Sequence, residues 1–329
     1  MSKVIGIDVS KQTLDVAYFE NERWYHHQVK NNERGYKKII KLLSPDGWII
    51  MEASGPYYLQ LAMYMYARQA KTTVVNPLKI KRFSQMKFMR TKTDKKDAKT
   101  IAEYGIQFHQ EFEKWQPEPQ AITNIQQLLS AIKLLKKQIR QTKNQEEAFK
   151  SSGLLTKELA RMLSSIITIL DKKCNKLEDQ LEKIAQKNYQ STIERLQTIP
   201  GIGKKTALLL TVLSNDFQKF ENHKQLIAYV GFSPRIYQSG TSVKGKGHIC
   251  KMGRGDIRKL LYLCSWAAKK CNKPCIEMYN RLKEKGKPER VIKVALANKL
   301  IKQAFAIVKN GTVFNENFTS QLELKGITN

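Results

Sequence analysis

A chain of 329 residues and 38.0 kDa is long enough for two domains and a sizeable core. Its hydrophobic content of 41% contains no apolar run near the roughly 18 residues that a membrane span needs, which excludes a spanning helix. Lys and Arg number 58 against 29 Asp and Glu, and a net charge of +29 calls for a polyanionic partner, nucleic acid ahead of an anionic membrane surface.

In chain order, the first hundred residues read as α/β. Val4–Val9 is a short apolar strand, 14–19 a second after a turn, and 24–29 a third. Residues 35–43 have helical spacing, and 48–51 form a buried strand ending in Glu52. A helix over 57–70 and a strand at 72–75 follow, the latter stopped by Asn76 and Pro77. Three strands, helix, strand, helix and strand is the order of a ribonuclease-H-like sheet. A helix then runs from Asp97 to about Ile106, and 116–119 reads as a linker.

From 121 to about 185 the apolar residues recur at three- and four-residue steps: Ile122, Ile125, Leu129, Ile132 and Leu135, then Leu159, Ile166, Leu170, Leu177, Leu181 and Ile184. The pattern predicts two long amphipathic helices, either an antiparallel hairpin or an intermolecular coiled coil. The remainder reads as mainly helical. In it, TIPGIGKKTALLL (198–210) holds a Pro-Gly-Ile-Gly turn opening a helix, either a helix-hairpin-helix phosphate site or an ordinary corner. Between Arg235 and Asn310 stand 19 Lys and Arg against 4 Asp and Glu, so about half the net charge lies in under a quarter of the chain.

Two carboxylates are out of place for a core. Asp8 interrupts an apolar strand, with Gly6 leaving room beside it, and Glu52 ends another. Buried carboxylates are normally paired or bind a metal, and an all-oxygen donor set suits Mg²⁺. Asp94 and Asp97 stand three apart on a starting helix and so share a side, either as N-cap and first-turn acid or as two more metal donors. Arg90, Lys92, Lys95 and Lys96 surround them, to neutralise them or to hold a phosphate. In the glycine-rich basic stretch 234–261, Ser239 reads by composition as one more loop serine, because a hydroxyl needs an activating neighbour or metal to attack. Tyr237 is a rival nucleophile. Five cysteines, an odd count with no CxxC, suggest a reducing cytosol and no disulfide framework, and no signal peptide is visible.

GIDVSK, MEASGPYY, NPLKIKRF, RTKTDKKDA, TIPGIGKKTA, AYVGFSPR and YQSGTSVKGKGHICKMGRGDIRKLLY occur in this order over about 300 residues. Together they closely resemble the DEDD transposases of insertion-sequence elements (the one-ten family), bridge-RNA-guided recombinases. The resemblance implies a RuvC-like catalytic domain over 1–115, a coiled-coil oligomerisation linker over 120–188, and a mainly helical transposase domain over 189–329. It implies that Asp8, Glu52, Asp94 and Asp97 bind Mg²⁺, with Mn²⁺ as a substitute, and that Ser239 forms a covalent phosphoserine bond with DNA. It further implies donor and target DNA and a non-coding bridge RNA as partners, a tetramer built as a dimer of dimers, and a bacterial, nucleoid-associated cytoplasmic location. Phosphate contacts are expected from Arg90, Lys92, Lys204, Lys205, Lys244, Lys246, Lys251, Arg254 and Arg258. The runner-up reading is a metal-dependent nuclease or junction resolvase with no covalent intermediate; a packaging protein without chemistry is the third.

Overall fold

The computed structural model describes residues 3–317 apart from 90, 92, 240–242 and 246. It divides into two compact units, residues 1–118 and 119–329.

The first unit is built on five strands: β1 (Val4–Val9), β2 (Thr13–Glu20), β3 (Arg23–Lys30), β4 (Trp48–Glu52) and β5 (Thr72–Val75). Their order is β3-β2-β1-β4-β5, with β1 to β3 antiparallel and β4 and β5 parallel to β1, the layout expected of a ribonuclease-H-like sheet. Side chains alternate between the two faces. One face of β1, carrying Ile5, Ile7 and Val9, packs with Tyr36 and Ile39 of α1 (Glu33–Leu42) and Leu61 and Met65 of α2 (Leu59–Tyr66).

The other face meets α4 (Asp94–Phe108). Here the glycines decide the approach. A Cβ on Gly6 would lie 2.2 Å from the backbone nitrogen of Ala102 and 2.5 Å from the carbonyl oxygen of Ala98, so β1 and α4 meet backbone to backbone. Three residues further along α4, a Cβ on Gly105 would strike Ile50 of β4 at 2.0 Å and Val4 at 2.7 Å. The room beside Asp8 that Gly6 leaves is therefore filled by a helix. Because Gly105 sits over Val4 and Ala98 over Gly6, α4 runs against β1, and its first turn lies toward Asp8.

One helix was not expected. Asn76–Pro77 reads as a strand stop, yet it opens α3 (Pro77–Met86). Asn76 accepts from the Leu78 nitrogen as N-cap, and Pro77 takes the first position, where its missing N–H is harmless. Ile80 and Phe83 then pack with Ile101 and Tyr104 of α4.

In the second unit, α5 (Gln120–Ser151) and α6 (Lys157–Gln197) pack against each other as a hairpin within the chain, joined by a short turn with Gly153 at φ +71°. The second helix outruns its predicted end at 185 and passes through a kink at Tyr189. It is followed by α7 (Lys204–Leu213), α8 (His223–Val230), α9 (Gly255–Cys271), α10 (Lys273–Glu284) and α11 (Glu289–Asn310). A common core joins the hairpin to these helices through Leu181, Ala185, Leu196, Leu208, Leu261, Leu296 and Leu300. Gly201, in the turn between α6 and α7, has φ +100°, and a Cβ there would lie 2.8 Å from that of Ala268 on α9. Among the described residues no helix is long and apolar enough to cross a membrane.

Candidate active site

The parallel register of β1 and β4 pairs Val4 with Trp48 and Ile7 with Met51. One step further along each strand stand Asp8 and Glu52, side by side at the carboxyl ends of adjacent parallel strands. Both belong to the face that α4 covers, since each stands two residues along from Gly6 or Ile50, which face α4.

Along α4, Gly105, Ala102 and Ala98 form a stripe at helical spacing over the sheet, and the next position up that stripe is Asp94. Asp97 precedes Ala98. The two helix acids thus lie at the end of α4 that approaches Asp8. Thr93, not Asp94, is the N-cap: its hydroxyl accepts from the Lys96 nitrogen at 3.3 Å. The capping explanation for Asp94 therefore falls away, and both aspartates remain as first-turn acids.

The other three acids act electrostatically on Asp8. Burial pushes the Asp8 carboxyl up to about 6, and Asp97, Asp94 and Glu52, in that order, add to the rise, with Asp15 contributing last. A carboxyl that neighbouring acids push up in this way sits in a locally negative field. Among the described residues no three His, Cys, Asp or Glu side chains stand close enough together to hold an ion. The donor chemistry still suits one, because these are hard oxygen ligands carried by three elements, β1, β4 and α4. Ser54, two residues past Glu52, has a buried hydroxyl with no hydrogen-bond partner among the described residues.

This electrostatic state has a measurable consequence. A carboxyl whose folded pKa is raised binds its proton more tightly in the native state, so its contribution to stability is full at low pH and is lost as pH rises between about 4 and 6. Discounted for partial solvent access, the loss is on the order of 1–2 kcal/mol. In EDTA, Asp8→Asn should remove that part of the slope and unfold at a higher temperature than wild type at pH 7, but not at pH 4. Equal slopes in thermal melts of the two proteins would show that Asp8 ionises normally.

The basic stretch of the second unit forms small sheets where an irregular loop was expected. Here β6 (Pro234–Arg235) pairs with β9 (His248–Ile249), and β7 (Gln238–Ser239) pairs with β8 (Val243–Lys244). Ser239 lies opposite Val243 at the last registered position of its pair. Tyr237, just before it, is 65% exposed.

The expected phosphate contacts have varied surroundings. Arg90, Lys92 and Lys246 lie outside the described residues. Lys204 and Lys205 open α7 directly after the glycine turn, yet each is paired with an α6 acid, Lys204 with Glu182 and Lys205 with Glu178 at 3.2 Å. Lys244 stands in β8. Lys251 is exposed with φ +55°. Arg254 grips Asp256 through two bonds of 3.1 and 2.7 Å. Arg258 donates to the Val230 carbonyl at 2.7 Å, which ties α9 to the end of α8.

Nothing in the sequence marks Asp15. It sits opposite Asp8 across β1 and β2 and is only 3% exposed. A polar residue in a strand with alternating faces reads as solvent-facing until the helix covering it is known.

Comparison with known proteins adds to this geometry. Residues 5–149 match a family model described as Transposase, of the IS110 DEDD type, and residues 193–280 match one described as Transposase IS116/IS110/IS902 family. The chain is 30% identical over 325 residues to a pilin gene-inverting protein of Moraxella lacunata, covering 96% of this chain and 99% of that one. It is 25% identical over 288 residues to the transposase for insertion sequence element IS1111A of Coxiella burnetii, covering 79% of this chain and 76% of that one. Thermus-type RuvC, solved as "T. thermophilus RuvC in complex with Holliday junction substrate", matches 34% of this chain at 10% identity with a TM-score of 0.27, a likeness too slight to bear on the fold.

Proposed function

Because the chain belongs to the IS110 family of transposases and is thus a DNA transposase, we propose that it breaks and rejoins strands of donor and target DNA, guided by a bridge RNA, through a phosphoserine intermediate. The observation that supports this reading is the placement of Asp8 and Glu52 side by side at the ends of β1 and β4, with the first turn of α4, which carries Asp94 and Asp97, lying toward Asp8. When bound, a divalent ion, Mg²⁺ or Mn²⁺, would be held by Asp8, Glu52, Asp94 and Asp97 and would stabilise charge on phosphate oxygens as a Lewis acid.

Ser239 is the proposed nucleophile. Its oxygen bonds to phosphorus as the bond from phosphorus to one sugar oxygen breaks, and the departing sugar oxygen takes up a proton. Attack by an incoming sugar hydroxyl reverses the step on a new partner strand, so one phosphoester replaces another and no outside energy source is required. The acids and the serine lie in different units of the fold. In the proposed tetramer, a dimer of dimers, the acidic site of one subunit is completed by Ser239 of another, with 120–188 as the oligomerisation helices and 189–329 as the transposase domain.

The basic residues supply phosphate contacts. Lys204, Lys205, Lys244, Lys246, Lys251, Arg90 and Lys92 are the proposed contacts. Arg254 and Arg258 contribute after giving up part of their donor capacity to Asp256 and Val230. The turn at 200–203 fits a helix-hairpin-helix, and Gly203 leaves the first N–H groups of α7 without a side-chain cap. Base pairing by the guide would set the sequence, leaving the protein to read backbone shape. The names of the pilin gene-inverting relatives fit strand exchange in place of simple cleavage.

The test mixes purified protein with donor and target duplexes, with and without RNA transcribed from DNA flanking the gene. Recombinant product should form only with the RNA. Product of equal yield without it would remove the guide from the reading.

A further inference from the structure

The charge at the acidic site does not stop at four carboxylates. Asp8 and Asp15 are directly opposed across the antiparallel pair β1–β2, so their side chains leave the same face with Cβ atoms about 5 Å apart. Like charges in that position destabilise a sheet. Asp15 is also 3% exposed, because α4 lies across β1 and β2 and covers it. Water therefore screens it poorly.

Its environment holds it in place. His26 of β3 donates from Nε2 to Asp15 Oδ1 at 2.8 Å, and Gln28 Nε2 donates to Oδ2 at 3.2 Å and to Oδ1 at 3.5 Å. Gln28 is the cross-strand neighbour of Asp15, and His26 that of Ala17. Two donors from one strand thus fix a buried carboxylate beside Asp8, and the fold maintains a like-charge pair that its own stability opposes. Resting on the reading that the four acids hold a divalent ion, we propose that Asp15 is a positioning residue of that site: a fifth negative charge, braced by His26 and Gln28, that strengthens cation binding through Asp8 without ligating the ion.

The physical scale supports this role. A full charge several ångströms from a dication, in the intermediate dielectric near a protein surface, shifts the affinity by an order of magnitude or more. The experiment uses the full chain and Mn²⁺ alone, with free Mn²⁺ followed by paramagnetic resonance and heat by titration calorimetry. Asp15→Asn keeps the shape and an acceptor oxygen for His26 and Gln28 but removes the charge. It should bind Mn²⁺ about 10-fold more weakly than wild type. In EDTA its melting temperature should equal or exceed that of wild type, because a like-charge repulsion is gone, and the rise in melting temperature on adding Mn²⁺ should shrink. Unchanged Mn²⁺ affinity would overturn the role. A fall in the EDTA melting temperature with wild-type affinity would do the same and would make Asp15 a purely structural residue. If wild type itself binds no Mn²⁺, the four-acid metal site fails, and the role of Asp15 fails with it. That result differs from a variant matching a wild type that binds.

Discussion

Ser239→Ala is expected to abolish both recombination and the covalent protein–DNA adduct while the acidic site stays intact. A serine that bonds to phosphorus keeps the phosphoester energy for rejoining, whereas a site that activates water releases a free break and leaves nothing on the protein. Loss of the attacking atom should lower strand exchange by on the order of 10³-fold or more, with no compensation from the acids, because nucleophile and activator act as a unit. Tyr237 is the control. It is adjacent and 65% exposed, and tyrosine also forms phosphodiester adducts. Tyr237→Phe should retain the adduct. Labelled DNA trapped on denatured protein reads all three proteins in one gel. An adduct that survives Ser239→Ala and vanishes in Tyr237→Phe would transfer the role to tyrosine. Metal-dependent cleavage with no adduct in any of them would return the site to the resolvase alternative.

Ser239 marks the limit of what a single sequence can say. Nothing local marked it: a serine before glycine in a basic stretch has no period and no activating neighbour, and only the resemblance of the whole stretch named it. The structure places it in a two-residue strand paired with Val243, too short to leave an alternating pattern. The acids were more legible. A carboxylate inside VIGIDV or ending WIIME violates the apolar pattern of a buried strand, and that violation can be read from one sequence. What could not be read is that the two strands are parallel neighbours in register, or that α4 descends along β1 so that its first turn meets Asp8. The first rests on the pairing of Ile7 with Met51, and the second on close approaches between Gly6 and Ala98 and between Gly105 and Val4, nearly a hundred residues apart.

The missed features share a cause. Asn76–Pro77 stops a strand and starts a helix with the same residues, and which dominates depends on whether Ile80 and Phe83 find a core to join. Asp94 was a fair N-cap candidate until Thr93 took that place one residue earlier. Asp15 and His26 look like ordinary polar positions of alternating strands. Asp15 becomes a buried carboxylate, held by a half-buried His26, only because a helix from eighty residues later lies over β2. In each case local chemistry offered two outcomes and tertiary packing selected one.

Asp8→Ala or Asp97→Ala should eliminate strand exchange, by on the order of 10³-fold or more, the scale on which lost charge stabilisation slows phosphoryl transfer. Chelation with EDTA should do the same to wild type, and Mg²⁺ or Mn²⁺ should restore it, but neither ion should rescue the variants. The two residues fail differently in the folded protein. Asp8 is crowded by Asp97, Asp94 and Glu52, so its removal relieves repulsion and the metal-free protein should be no less stable. Asp97 favours the N-terminus of α4 through the helix dipole, so its loss should cost a few tenths of a kcal/mol to about 1 kcal/mol. DNA binding should change by less than about twofold in either variant, since removing a carboxylate from a protein of net charge +29 cannot weaken a largely electrostatic attraction. Binding measured by filter retention beside strand exchange then separates chemistry from affinity. Full recombination in EDTA, or by Asp8→Ala, would mean that the carboxylates at the end of β1 and α4 serve no ion and that the serine acts without them.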